Sequence, residues 1–276
     1  MAFVTRFAPS PTGPLHLGHA YSALLAHDAA RAHGGAFVLR IEDIDATRCR
    51  PAWETQIYDD LQWLRIAWDG EVMRQCNRLP AYEAALQSLW DKGMLYPCTC
   101  TRRDIESATS APQEGILGPD GPIYPGTCRG IPTGARPADA ALRLNIAAIA
   151  RQTSFTEMGD GLAGRVGTTA QDYVQSIGDV VLARRDMGTS YHLSAVLDDA
   201  AQGITHVLRG ADLFQATRIH VLLQQILGLP TPIYHHHRLI RDDNGKRLAK
   251  RDDARALSKY RSDGASPADI RAMVGL

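Results

Sequence analysis

The chain has 276 residues, 45% hydrophobic and 22% charged, which is the composition of a globular protein long enough to bury a full core. Lys plus Arg and Asp plus Glu both number 30, so the formal net charge is zero and any nucleic-acid partner needs a local basic face. No run approaches the roughly 20 apolar residues of a membrane helix, and the start MAFVTRFAPSPTG has an early arginine and no apolar stretch of a secretory signal, so a cytoplasmic protein is expected.

FVTRF at 3–7 alternates like a short strand, and APSPTGP after it is a turn. HLGHAYSALLAHDAARAH predicts a helix from about Leu17 to His33, stopped by Gly34 and Gly35. AFVLRIED follows as a second, mostly apolar strand. Strand, turn, helix and strand in that order make a βαβ unit, with parallel pairing and a right-handed crossover. Pro51 opens a helix over 51–66, and Pro80 opens another to about Lys92. Residues 97–131 carry three close cysteines and PQEGILGPDGPIYPG, too rich in Gly and Pro for regular structure. An inserted module held by something other than a core is expected there. ALRLNI, VVLARRD and HVLRG are strand candidates, and FQATRIHVLLQQILG predicts an amphipathic helix. The expected organisation is an α/β catalytic sheet begun by 1–96 and completed by 132–250, with the insertion at 97–131 and a charged tail at 251–276.

Cys49 and Cys76 stand alone, whereas Cys98, Cys100 and Cys128 are close enough to act together. Three thiolates are one ligand short of a tetrahedral zinc site. No histidine falls between residues 34 and 191, which leaves Asp104, Glu106, Glu114, Asp120 and Tyr124 as oxygen donors in the loop. The alternative is three buried free thiols.

The first turn sets a helix N-terminus at the carboxyl edge of a sheet, where unpaired N–H groups and the helix dipole favour an anion. His16 and His19, three apart at that helix start, face one side and suit phosphate oxygens, while Gly18 leaves room for a base or ribose. The pattern is neither a Walker loop nor GxGxxG, and taken alone it favours a turn with two surface histidines. Near the other end, NGKRLAKRDD sets Lys246, Arg247, Lys250 and Arg251 on a glycine-containing loop. Opposite a helix N-terminus, such a loop would clamp a triphosphate and stabilise charge on departing pyrophosphate. Arg184 with Arg185, and the run from Arg238 to Arg251, are the basic candidates for nucleic acid.

RFAPSPTGPLHLGH resembles the first signature of class I aminoacyl-tRNA synthetases, in the glutamyl branch, and RLAKR is similar to the KMSKS signature of that class. IEDID at 41–45 and YHLSAVLDDAAQGITHVLRGADLFQAT at 191–217 also resemble the branch, so the resemblance runs from residue 3 to about 255. Leu17 replaces the isoleucine of HIGH, and Arg247 and Ala249 replace a lysine and a serine of KMSKS, while Lys250 is kept.

The resemblance implies a Rossmann-type parallel sheet and ATP-dependent activation of L-glutamate as an adenylate, with Mg²⁺ accompanying ATP. It implies catalytic roles for His16, His19 and Lys250, with Gly18 and Arg247 also at the nucleotide. Glutamate offers two carboxylates and an ammonium, so its site needs cations and an anion. Arg6 and Arg209 suit the carboxylates if their strands are neighbours, Glu42 suits the ammonium, and Tyr191 supplies a phenol. In the family these positions contact the amino acid, together with backbone around Ala8 and Ser10. A subgroup of the family uses a tyrosine four residues before the last cysteine, which implies one structural zinc on Cys98, Cys100, Tyr124 and Cys128, away from the other motifs. Larger members carry a helical anticodon-reading domain after KMSKS, and 251–276 is too short for one. A catalytic-half subgroup is therefore implied, whose acceptor is the queuosine base at the wobble position of tRNA(Asp), read through splayed bases and backbone. A monomer with no membrane partner is expected. A minimal synthetase charging the tRNA 3′ end and a non-catalytic paralogue binding tRNA or a metabolite both stay open.

Overall fold

In the computed structural model, which describes residues 2–101, 103–105, 117–130, 134–159, 161–241 and 255–276, β1 (Val4–Phe7) runs parallel to β2 (Ala36–Ile41) with α1 (Leu17–Ala32) as the crossover. The buried face of α1 includes Ala20, Ala23, Ala26 and Ala30, whose small side chains let the helix lie close on the sheet. Thr5 Oγ1 donates to the Ala26 carbonyl at 2.8 Å, so helix and strand also share a hydrogen bond. Gly34, at φ 59°, turns the chain out of the helix into β2, a left-handed conformation that favours glycine.

After α2 (Pro51–Trp63), β3 (Met73–Arg74) adds to β2 in parallel, and α3 (Leu79–Asp91) leads into β4 (Leu95–Cys98). β4 joins a small antiparallel sheet with β7 (Ala141–Leu144) and β10 (Val181–Ala183). Between β4 and β7, the inserted segment makes one described hairpin, β5 (Leu117–Gly118) with β6 (Gly121–Pro122). α4 (Ile146–Ile149), β8 (Thr153–Glu157), β9 (Gly164–Thr168) and α5 (Ala170–Asp172) complete this middle part.

α6 (Tyr191–Ala201), β11 (His206–Gly210), α7 (Phe214–Leu227) and β12 (Ile233–His237) form a second run of parallel structure, with β11 parallel to β12 and β12 parallel to β8. The parallel sheet of β1 to β3 and this second sheet, which β9 extends antiparallel to β8, meet edge to edge, because Thr205 N–H donates to the Val4 carbonyl at 3.0 Å and Val4 N–H donates to Thr205 Oγ1 at 2.8 Å. β1 and β11 are thus neighbours that run together, with α1 and α7 on their flanks. This is a doubly wound arrangement, whose binding crevice lies beyond the carboxyl ends of the strands where the order reverses.

The C-terminal residues fold more completely than their sequence suggested. α8 (Leu257–Ser262) and α9 (Pro267–Val274) return to the first half, and Leu257, Ile270 and Val274 are fully buried in the core under α1 and β2. Arg271 anchors α9 to Asp28 of α1 at 2.7 Å. Apolar residues this sparse give little periodicity, yet Ile270 and Val274, four apart, are enough to seat a short helix. Among the described residues no helix is long and apolar enough to cross a membrane.

Candidate functional site

A pocket of about 480 Å³ opens at the carboxyl ends of β1, β2, β11 and β12. Arg6 and Ala8 reach it from β1 and its turn, Glu42 from β2, Arg209 from β11, and Tyr191 from the first residue of α6. His16, Gly18, His19 and Ser10 line it as well. All the sequence-predicted residues for phosphate and amino acid that fall among the described residues therefore meet in one cavity. Lys246, Arg247, Lys250 and Arg251 lie outside the described residues.

The helix start is built by the histidines themselves. His16 caps α1, its Nδ1 accepting from Gly18 N–H at 3.1 Å, while His19 Nδ1 accepts from His16 N–H at 3.2 Å. With each Nδ1 an acceptor, the neutral rings carry their proton on Nε2, which makes that atom a donor. A Cβ at Gly18 would stand 3.0 Å from His16 Cε1, so glycine is what lets the capping ring pack over the first turn.

On the other side, charge is organised by residues the sequence did not advertise. Arg6 Nε donates to Asp199 at 3.1 Å, and Arg40, which has no exposed surface, donates to the same carboxylate at 2.7 Å and to Glu42 at 3.3 Å. Burial works to raise the Asp199 carboxyl, but Arg6 and Arg40 outweigh it and hold the group below the usual carboxylate range. Burial pushes Glu42 up, against the pull of Arg40 and Arg6. Arg209, also buried, donates to Thr217 Oγ1 at 2.6 Å, His220 Nδ1 at 3.2 Å, His236 Nε2 at 3.3 Å and Tyr191 Oη at 3.4 Å. None of those partners is an acid. Burial and the Arg209 charge together push His220 well below the ordinary histidine value, and burial takes His236 down to about 4 against the pull of Glu157. Both rings are neutral at physiological pH.

Arg40, Asp199, Thr217, His220, His236 and Glu157 were missed in the sequence. Their signal was a polar residue on an apolar face: Arg40 inside AFVLRI, His220 inside TRIHVLL. Such residues need buried partners, but nothing local says which.

A second, larger pocket of about 970 Å³ adjoins the first and shares Ser10, Thr12, Glu42 and Tyr191 with it. Its far wall carries Cys98, Cys100 and Tyr124, and the exposed pair Arg184 and Arg185 also lines it. The cysteine cluster thus lies nearer the other motifs than expected, across one cavity from Glu42. The three sulfurs of Cys98, Cys100 and Cys128 lie within 4.8 Å of one another. Tyr124 Oη stands 3.5 Å from Cys98 Sγ and 3.3 Å from Cys100 Sγ, and Cys100 and Cys128 sulfurs are 3.4 Å apart. A tetrahedral ion holding thiolates at about 2.3 Å and a phenolate oxygen at about 2 Å separates its ligands by about 3.5–3.8 Å, so the set fits. The other oxygen donors do not compete among the described residues: Asp104 caps Thr101 at 2.7 Å and Asp120 pairs with His192 at 2.9 Å, while Glu106 and Glu114 lie outside them. Arg143 offsets the thiolate charge, its Nε donating to Cys98 Sγ at 3.3 Å and its guanidinium stacking 3.9 Å over the Tyr124 ring.

The family described as "tRNA synthetases class I (E and Q), catalytic domain" matches residues 2–276, and the chain belongs to it. It is an enzyme, a ligase of the aminoacyl-tRNA synthetase class. A protein of Rhodobacter capsulatus named glutamyl-Q tRNA(Asp) synthetase is 64% identical over 277 residues, 99% of this chain and 100% of that one. A protein of the same name from Geobacter sulfurreducens is 41% identical over 94% of this chain and 78% of its own. Among solved structures, a glutamate tRNA ligase from Elizabethkingia meningosepticum in complex with its amino acid superposes with a TM-score of 0.80 at 26% identity. That match covers 99% of this chain and only 60% of the ligase.

Proposed function

We propose that the protein activates L-glutamate with ATP as glutamyl-adenylate and transfers the glutamyl group to the queuosine base of tRNA(Asp). The observation that carries the reading is the shared pocket: Arg6, Glu42, Tyr191 and Arg209 line the same cavity as the histidine-capped start of α1. The first group suits an amino acid with two carboxylates and an ammonium, and the second suits phosphate. Glutamine leaves one guanidinium facing a neutral amide, so glutamate is the better match.

In this reading the α-carboxylate oxygen of glutamate attacks the α-phosphorus of ATP. A P–O bond forms, the α–β anhydride breaks, and pyrophosphate leaves. His16 and His19 donate from Nε2 to the phosphates, Gly18 admits the nucleotide, and Arg247 and Lys250 close on the leaving group. Mg²⁺ travels with ATP and neutralises phosphate charge. An acceptor hydroxyl then attacks the adenylate carbonyl, forming an ester and releasing AMP. The larger pocket, with Glu42 and Tyr191 on one side and Arg184 and Arg185 on its rim, is where the acceptor enters. Cys98, Cys100, Tyr124 and Cys128 hold a structural zinc in the insertion at 97–131, and 1–96 with 132–250 form the catalytic body.

The names of the Rhodobacter and Geobacter relatives support queuosine as the acceptor. The likeness to a glutamate tRNA ligase favours a second reading, transfer to the tRNA 3′ end. Reaction with ATP, glutamate and tRNA(Asp), followed by mass analysis of the nucleosides, separates them. Glutamate on the queuosine nucleoside supports the first reading; product on tRNA lacking queuosine sinks it.

A further inference from the structure

Arg209 is a buried cation whose hydrogen-bond partners among the described residues, His236, Tyr191, His220 and Thr217, carry no negative charge, and the hydrogen-bond directions around it leave one solution. A guanidinium only donates, so His220 Nδ1, at 3.2 Å, is an acceptor and His220 carries its proton on Nε2. That proton points to His192 Nδ1 at 3.1 Å, which must accept, so His192 carries its proton on Nε2. His192 Nε2 lies 2.9 and 3.0 Å from the two carboxylate oxygens of Asp120, which accept it. Four residues thus form an unbroken directional chain from Arg209 to a carboxylate. Asp120 sits in the turn between β5 and β6, within the cysteine-bearing insertion, and its side chain is 52% exposed. On the other flank His236 donates from Nδ1 to the buried Glu157 at 2.5 Å and accepts from Arg209 through Nε2, a shorter chain of the same kind.

We infer that Asp120, through His192 and His220, is a positioning residue for Arg209, so that the inserted module helps set glutamate affinity in the neighbouring pocket. The reason is electrostatic. A carboxylate in direct contact with Arg209 would satisfy its fork and compete with substrate, whereas a bare buried guanidinium is unstable. Placing the counter-charges behind imidazoles, Glu157 behind His236 and Asp120 behind His220 and His192, orients the guanidinium, offsets its burial and leaves the remaining Nη2 N–H and the unneutralised charge for an incoming carboxylate. The inference rests on the glutamate-binding reading above. It differs from a mere docking contact, in which Asp120 and His192 only pin the hairpin.

The test uses the full chain with its metal. Glutamate and ATP affinities are measured by titration calorimetry, with bound metal by elemental analysis and melting temperature as controls. The variants are Asp120→Asn, which keeps an acceptor and loses the charge at an exposed site, and His192→Phe, which breaks the chain inside. Each is expected to weaken glutamate binding about five- to tenfold, with ATP affinity and metal content unchanged, and the Asp120→Asn effect vanishes in the His192→Phe background. Unchanged glutamate affinity in Asp120→Asn overturns the proposal, as does a parallel loss of glutamate, ATP and metal, or additive effects in the double variant. If His192→Phe does not fold, Asp120→Asn and Asp120→Ala decide alone. Should Arg209→Lys lose glutamate while Asp120→Asn does not, the glutamate reading stands and the relay falls. Should the wild type bind no glutamate, both fall.

Discussion

Arg6 pairs directly with Asp199 at 3.1 Å, a carboxylate it shares with Arg40, whereas the hydrogen-bond acceptors of Arg209 among the described residues are neutral. The two arginines therefore differ in how much field they offer a ligand, and Arg209 should dominate carboxylate binding. Arg209→Lys keeps the charge but loses the planar fork, and is expected to raise the glutamate KM about 100-fold with the ATP KM unchanged, read by pyrophosphate exchange. Glu42→Gln should weaken glutamate about 10-fold or more, because a half-buried acid facing an ammonium becomes a neutral amide; equal affinity for glutamate in wild type and variant would remove Glu42 from the site. Arg6, Glu42 and Arg209 were legible because each ends a strand in a motif that could be matched. Arg40 was not, since its partner Asp199 lies 159 residues away and only the folded sheet brings them to 2.7 Å.

At the level of elements, α2 carries a liability. Asp60 is fully buried, neither of its carboxylate oxygens has a hydrogen-bond partner among the described residues, and burial pushes its carboxyl from 3.8 up to about 6. The folded state thus holds that proton more tightly than the unfolded chain. Between those two values stability falls as pH rises, and above the upper one the penalty is complete. Asp60→Asn should flatten that slope and stabilise the protein at pH 7.5 by about 1–2 kcal/mol, measured by denaturant melts; an unchanged slope would show that Asp60 is solvated. The insertion is the opposite case, an element with little core of its own. Among the described residues its cluster buries Cys98 and Tyr124, packed with Tyr96 of β4. Stripping metal with a chelator should therefore lower the melting temperature by about 5–10 °C, and Cys98→Ser should abolish metal retention. Metal retained by that variant would remove Cys98 from the ligand set. The three cysteines and Tyr124 were readable from spacing and resemblance, but the docking of the hairpin that carries Asp120 to His192 was not, because the two residues lie 72 positions apart.

Across the whole molecule, the site exists because two parallel sheets share an edge at β1 and β11, and the C-terminal helices close the structure from behind. Ile270 is fully buried against the α1 core, so Ile270→Ala should cost about 2–4 kcal/mol of stability while leaving glutamate affinity intact; an affinity loss larger than the stability loss would mean that α9 shapes the pocket directly. The opening βαβ unit with its parallel pairing, the helix after HVLRG and the grouping of the cysteines were written in local patterns, because periodicity and turn residues act over a few neighbours. Tertiary structure alone decided which charges neutralise which, where the cysteine cluster sits relative to the pocket, and that sparse apolar residues after 255 belong to the core. Those outcomes depend on contacts between residues a hundred or more positions apart, and burial makes such contacts obligatory without any local pattern to announce them.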